Sequence, residues 1–543
     1  MKKIVSIAIC CATALCLYAV PARRTGRTVT QADGTTLTVY THGDEHFHWQ
    51  TNEQGEWLSL NAQGDYEVIP ALTDEQIQAR RANSRRRMPQ HTTKTTPLNI
   101  APRGLIILVN FKDKAFVTDK AEVDSMIYGQ NYTREYSYSY TSYGKKYTEN
   151  ITSQGSVRQY FYDVSYGQYN PHFDVVGPVT VSKNYSYYGQ NNRWGDDKHP
   201  EDMVKEACQL AYSQCGVDFS LYDNDGDDTV DFVYIFYAGE GEADGGASNT
   251  IWPHAHSLTA AGTSLTLGGK KIDKYACSNE MSSVSGYHDG IGTFCHEFSH
   301  VLGLPDLYNT VDQDARTLGD WDVLDYGCYN NDGNTPCAFS GYERFFCGWT
   351  KPEILVDAAY YSLNELNSSN TVLLISTTDQ HNLIGNGPDP TTFYLLENRQ
   401  QTGWDEYLVG HGLMLTKINY SYSKWYNNTP NNTAGSMGVD IIEAKTNTSA
   451  TNRATDLFPA GATSYIGITD HPITDIKEED GIIYFSYKGG TEQRETAIEN
   501  TKSEEQVIGI YTLTGNSLPL NTELPSGVYI VRTTNGSRKV VIP

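Results

Sequence analysis

Positive charge is scarce in this 543-residue chain: 41 Lys and Arg face 65 Asp and Glu, a formal net charge of −24. That balance excludes an extended nucleic-acid surface and suits solubility outside the cell. Long apolar runs are equally scarce. After the run from Ile4 to Val20 no stretch reaches the length of a spanning helix, so no membrane anchor is expected in the mature chain. Cysteine is absent from Arg23 to Ala207, so no thiolate from that region can cap a metal.

The remaining composition and the ends bound the organisation. The length allows several domains. Met1-Lys2-Lys3 followed by an apolar run, with Val20-Pro21-Ala22 ahead of Arg23, reads as a signal peptide over 1–22. Of the ten cysteines, Cys208, Cys215, Cys277, Cys295, Cys328, Cys337 and Cys347 lie beyond it, an odd number for an exported chain.

The most informative stretch runs from Gly290 to Asp306 and contains His296-Glu297-Phe298-Ser299-His300. At about 100° per helical residue, Ile291, Phe294, Cys295, Phe298, Val301 and Leu302 share one arc, with His296, Glu297 and His300 opposite. Two imidazoles one turn apart can reach one metal, and Glu297 projects beside the remaining coordination position. Gly303 can end the helix in a left-handed conformation and Pro305 prevents its resumption, which turns Asp306 back towards the metal. Cys295, on the packed face, reads as a small buried hydrophobe.

The extended motif resembles the metzincin clan, with Asp306 where many members carry a third His. His296 to Tyr308 is similar to the immune inhibitor A family of secreted bacterial metallopeptidases. Trp321 to Gly327 is similar to that family's Met-turn, with Leu324 in the position of the Met. The resemblance implies a zinc endopeptidase acting on proteins or peptides. His296, His300 and Asp306 would hold zinc, Glu297 would be the general base, and Tyr326 would steady the oxyanion. Glu343, on a later helix, is the rival third ligand. A noncatalytic surface adhesin with structural zinc is the competing class, and an exopeptidase the competing enzyme.

The expected fold class is α+β, in six stretches along the chain. After the signal peptide, 23–95 reads as a β-rich propeptide ending near Arg80-Arg81 and Arg85-Arg86-Arg87. A carboxylate or imidazole from His42 to His48 could close the metal site there, in place of a cysteine. Residues 96–350 form the metzincin-like catalytic domain, opening on the buried strand Gly104 to Phe111. Within it, Asp223, Asp225, Asp227 and Asp231 surround Gly226 as a calcium loop would. His254 and His256 read as ordinary loop histidines. Residues 351–488 read as a β-sandwich-like accessory domain, and 489–505 as a linker. Residues 506–543 are similar to a carboxy-terminal sorting domain of type IX secretion, which implies that machinery as partner and release or cell-surface attachment.

Overall fold

The apolar run that opens the expected catalytic domain becomes the strand Arg103–Asn110, with Gly104 to Val109 buried. In the computed structural model, which describes residues 19–85, 101–491 and 507–542 apart from short breaks within them, it is an inner strand of a five-stranded sheet. The order is His254–Ser257, Lys274–Met281, Val233–Glu240, Arg103–Asn110, His172–Thr180. Neighbours are parallel except for His254–Ser257, which runs antiparallel at the edge.

Alternation along these strands separates two cores. Leu105, Ile107, Val109, Val233, Ile235 and Tyr237 face a cluster shared with Met203, Val204, Ala207 and Ala211 of the helix Pro200–Gln214. Ile106, Leu108, Tyr234 and Phe236 face the other cluster, which holds Phe294, Phe298 and Leu302 of the motif segment. Phe298 meets Phe161, Phe173 and Phe232 at ring-centroid distances of 4.9, 5.4 and 4.9 Å. This aromatic seat fixes the height and rotation of the helix Gly292–Val301 over the sheet.

The N-terminal region is a five-stranded meander from Arg27 to Val68, followed by the helix Asp74–Arg85. Arg81 does not behave as a solvated charge: it is buried, bonded to the Thr310 carbonyl and 3.5 Å from Asp44 Oδ2. Residues 1–18, Arg86, Arg87 and 492–506 lie outside the described residues, and with them most of the expected signal peptide and linker.

Beyond Pro352 two sheets share an apolar core that includes Leu363, Leu373, Leu396, Leu415, Ile483 and Phe485. The opposite face of the larger sheet, with Leu374, Phe393, Leu395 and Met414, enters the same cluster as the motif helix. The chain divides into two compact units, Met1–Gly490 and Thr491–Pro543. The second unit carries a four-stranded antiparallel sheet with Val507–Thr512 and Gly527–Thr533 at its centre. The mixed content fits the α+β expectation.

Candidate metal centre

The motif helix ends as its sequence requires. Gly303 takes φ 96°, its N–H donates to the His300 carbonyl at 3.0 Å, and Leu304 N–H reaches back to Ser299 at 3.3 Å. This left-handed cap satisfies the last helical carbonyls and reverses the chain. At the other end, a Cβ on Gly292 would come within 1.8 Å of the Cys328 carbonyl oxygen, so the helix start lies directly against the turn Tyr326–Tyr329.

His296 Nδ1 lies 2.8 Å from the Val323 carbonyl and His300 Nδ1 lies 2.8 Å from the Leu304 carbonyl. A carbonyl only accepts, so each Nδ1 carries the hydrogen and each Nε2 presents a lone pair. Both point at Asp306 Oδ1, at 3.1 and 3.3 Å. One atom from each residue falls within a mutual span of 4.8 Å, a donor set that fits a divalent cation. Burial lowers the His300 pKa, disfavouring an imidazolium.

The third member is fixed from far along the chain. Asn428 Oδ1 accepts from Asp306 N–H at 2.7 Å, and Asn428 Nδ2 donates to Asp306 Oδ2. Asn431 Nδ2 donates to the Leu307 carbonyl at 2.7 Å, and Asn432 Oδ1 accepts from Thr310 N–H at 3.0 Å. The β-rich region thus braces the ligand loop. These asparagines carry no sequence signal of their own, because Asn-Asn-Thr-Pro-Asn-Asn reads as an ordinary loop.

Glu297 adjoins the three residues and is fully buried. Its Oε1 accepts from Val20 N–H at 2.9 Å, and Oε2 has no hydrogen-bond partner among the described residues. Burial pushes its pKa well up, the charges of Asp306 and Glu45 push the same way, and the Val20 bond opposes them. Val20 belongs to an N-terminal segment laid across the site. Trp252 Nε1 donates to the Val20 carbonyl at 3.1 Å, Tyr308 to Ala19 at 2.7 Å, and Tyr329 to Pro21 at 2.8 Å. The polar face of the helix is therefore as buried as the packed one.

The hairpin tip does not enter the three-residue group. Glu45 and His46 are buried and lie 3.0 Å apart, pairing with each other. Burial raises the Glu45 pKa to about 7, with His46 opposing and Asp44 and Asp306 adding. Neither joins the three-residue group.

Tyr326 is buried beneath Arg24, whose guanidinium carbon stands 3.6 Å from the ring centroid. Leu324 is fully buried, and its carbonyl accepts from Leu307 N–H at 2.9 Å, so the turn packs under the ligand loop. Glu343 lies outside the group. It caps its own helix, accepting from Ser340 N–H.

The acidic loop gathers three of its four aspartates. Asp223, Asp225 and Asp227 do approach one another, but the Lys270 ammonium lies 2.8 Å from Asp223 and 2.7 Å from Asp228, supplying the counter-charge. Asp231 turns away, accepting from Asn224 N–H and Nδ2 at 2.8 and 2.7 Å. His254 is held by the Trp252 carbonyl and Tyr275 at 2.7 and 3.1 Å. The seven described cysteines are free, and Cys295 is buried as expected.

Two histidines on one helix, a carboxylate returned by the following turn and a neighbouring Glu make up a metal-dependent hydrolase type of centre. Residues 98–350 match the family described as immune inhibitor A peptidase M6, catalytic domain. A 249-residue stretch is 26% identical to the pre-pro-metalloprotease PrtV of Vibrio cholerae serotype O1, covering 41% of this chain and 27% of that protein. Another, of 271 residues, is 26% identical to immune inhibitor A of Bacillus thuringiensis subsp. alesti, covering 45% of this chain and 39% of that one. The aligned part is well under half the length of either relative. These matches support a metallopeptidase domain and hence a catalytic metal. No described helix is long and apolar enough to cross a membrane.

Proposed function

We propose that the chain is a secreted zinc endopeptidase that hydrolyses extracellular proteins, held latent by its N-terminal region and exported by the type IX machinery. The observation that carries this reading is the convergence of His296, His300 and Asp306 beside Glu297. No fourth His, Cys, Asp or Glu joins them among the described residues, which favours an open catalytic site over the closed structural site of an adhesin.

Zinc bound there supplies Lewis acidity, polarising the scissile carbonyl and acidifying a water. The chain's own groups do the rest. Asn428 and the Val323 and Leu304 carbonyls fix the ligands in orientation. Glu297 takes the proton of the attacking water and hands it to the leaving amine, Val20 leaving Oε1 with the expected signal peptide. Tyr326, once Arg24 lifts from its ring, donates to the developing oxyanion. Product masses from an unstructured protein, with and without a chelator, test the assignment. Internal cleavages abolished by chelation support it; trimming only from the ends points to an exopeptidase, and intact substrate to a binding protein.

A further inference from the structure

The segment that covers Glu297 continues into a feature the proposed mechanism does not use. Arg23, 4% exposed, sends its guanidinium into a pocket built from three loops. Nε forms an ion pair with Asp244, Nη1 bonds Asp332, and Nη2 lies 2.9 Å from Asp289 Oδ1. The Tyr329 ring lies 4.8 Å from the guanidinium carbon. Each nitrogen thus has its own carboxylate, and the planar group has an aromatic wall.

Two features make this more than an ion pair that fastens the segment. Three carboxylates against one cation is an excess that a structural bridge does not need and that burial penalises. The carboxylates are also held by residues outside the segment. Asp244 Oδ2 accepts from Ser283 N–H at 2.6 Å, Asp289 Oδ2 from Thr293 Oγ1 at 2.9 Å, and Asp332 Oδ2 from Tyr136 OH at 3.2 Å. Thr293 sits in the first turn of the motif helix, one turn ahead of His296 and Glu297. Only Pro21 and Ala22 separate Arg23 from Val20, whose N–H is on Glu297, so the pocket lies within a short peptide's reach of the chemistry.

We propose that Asp244, Asp289, Asp332 and Tyr329 form a substrate subsite selective for arginine, and that Arg23 fills it until the N-terminal segment leaves. This rests on the endopeptidase reading. The fork of a guanidinium meets all three carboxylates and the ring, whereas a lysine ammonium meets only part of the set.

The test uses processed enzyme recovered from expression of the full chain, free of other proteases. One peptide sequence is made with Arg, Lys or the neutral isostere citrulline at each position around the cleaved bond. The expected result is one position at which Arg exceeds citrulline by about tenfold or more in kcat/KM, with Lys between them. Asp289→Asn and Asp244→Asn should bring the Arg to citrulline ratio close to one. In wild-type enzyme, a peptide copying residues 19–27 should inhibit about tenfold more strongly than its copy with citrulline in place of Arg23. Cleavage indifferent to Arg or citrulline at every position, or equal inhibition by the two copies, overturns the subsite alone. Absence of any cleavage overturns the peptidase reading and the subsite with it.

Discussion

The helix Gly292–Val301 and the segment Ala19–Arg23 meet at Glu297, yet they are built on opposite principles. The helix carries its own instructions: ligand spacing, apolar face and left-handed stop all lie within one short stretch. The covering segment has no regular structure and is held by partners across the molecule, Glu297, Trp252, Tyr308 and Tyr329 among them. Chemistry is encoded locally, and restraint on that chemistry is encoded by distant contacts. Breaking the first should destroy the site; breaking the second should release it.

The largest effect should come from the helix. His300→Ala removes one of three metal-binding groups, and both bound zinc and proteolysis should vanish, read by metal content and by cleavage of an unstructured protein. Full zinc content in that variant would break the local half of the comparison.

Asn428→Ala should cost about 10–100-fold in zinc affinity or activity, because it frees the Asp306 carboxylate without removing it. Competition with a chelator of known affinity measures it. An unchanged affinity would mean that the turn at Gly303 positions Asp306 unaided.

Arg23→Gln should act in the opposite sense. In the unprocessed chain it removes the contacts with Asp244, Asp289 and Asp332, and cleavage of a small peptide should rise by about tenfold.

The same contrast explains what the sequence made legible. The two histidines, Glu297, Gly303 and Asp306 could be placed because helical periodicity and cap chemistry act over a few residues. The buried strands followed from their apolar runs. Asn428 could not be found, since its partner lies 122 residues away and asparagine is ordinary in a loop. Arg23 looked like the residue after a cleavage point, because nothing near it shows that Asp289 and Asp332, 266 and 309 residues on, converge upon it. The acidic loop's ion-pair partner was hidden for the same reason. Its counter-charge is Lys270, 47 residues beyond Asp223.

The most direct test of the central claim is zinc content and hydrolysis rate measured on one preparation of Glu297→Gln. That substitution keeps the three metal-binding groups and removes the base. Zinc equal to wild type with cleavage reduced by about 10²–10⁴-fold is the predicted result. Wild-type cleavage with zinc in place would contradict it.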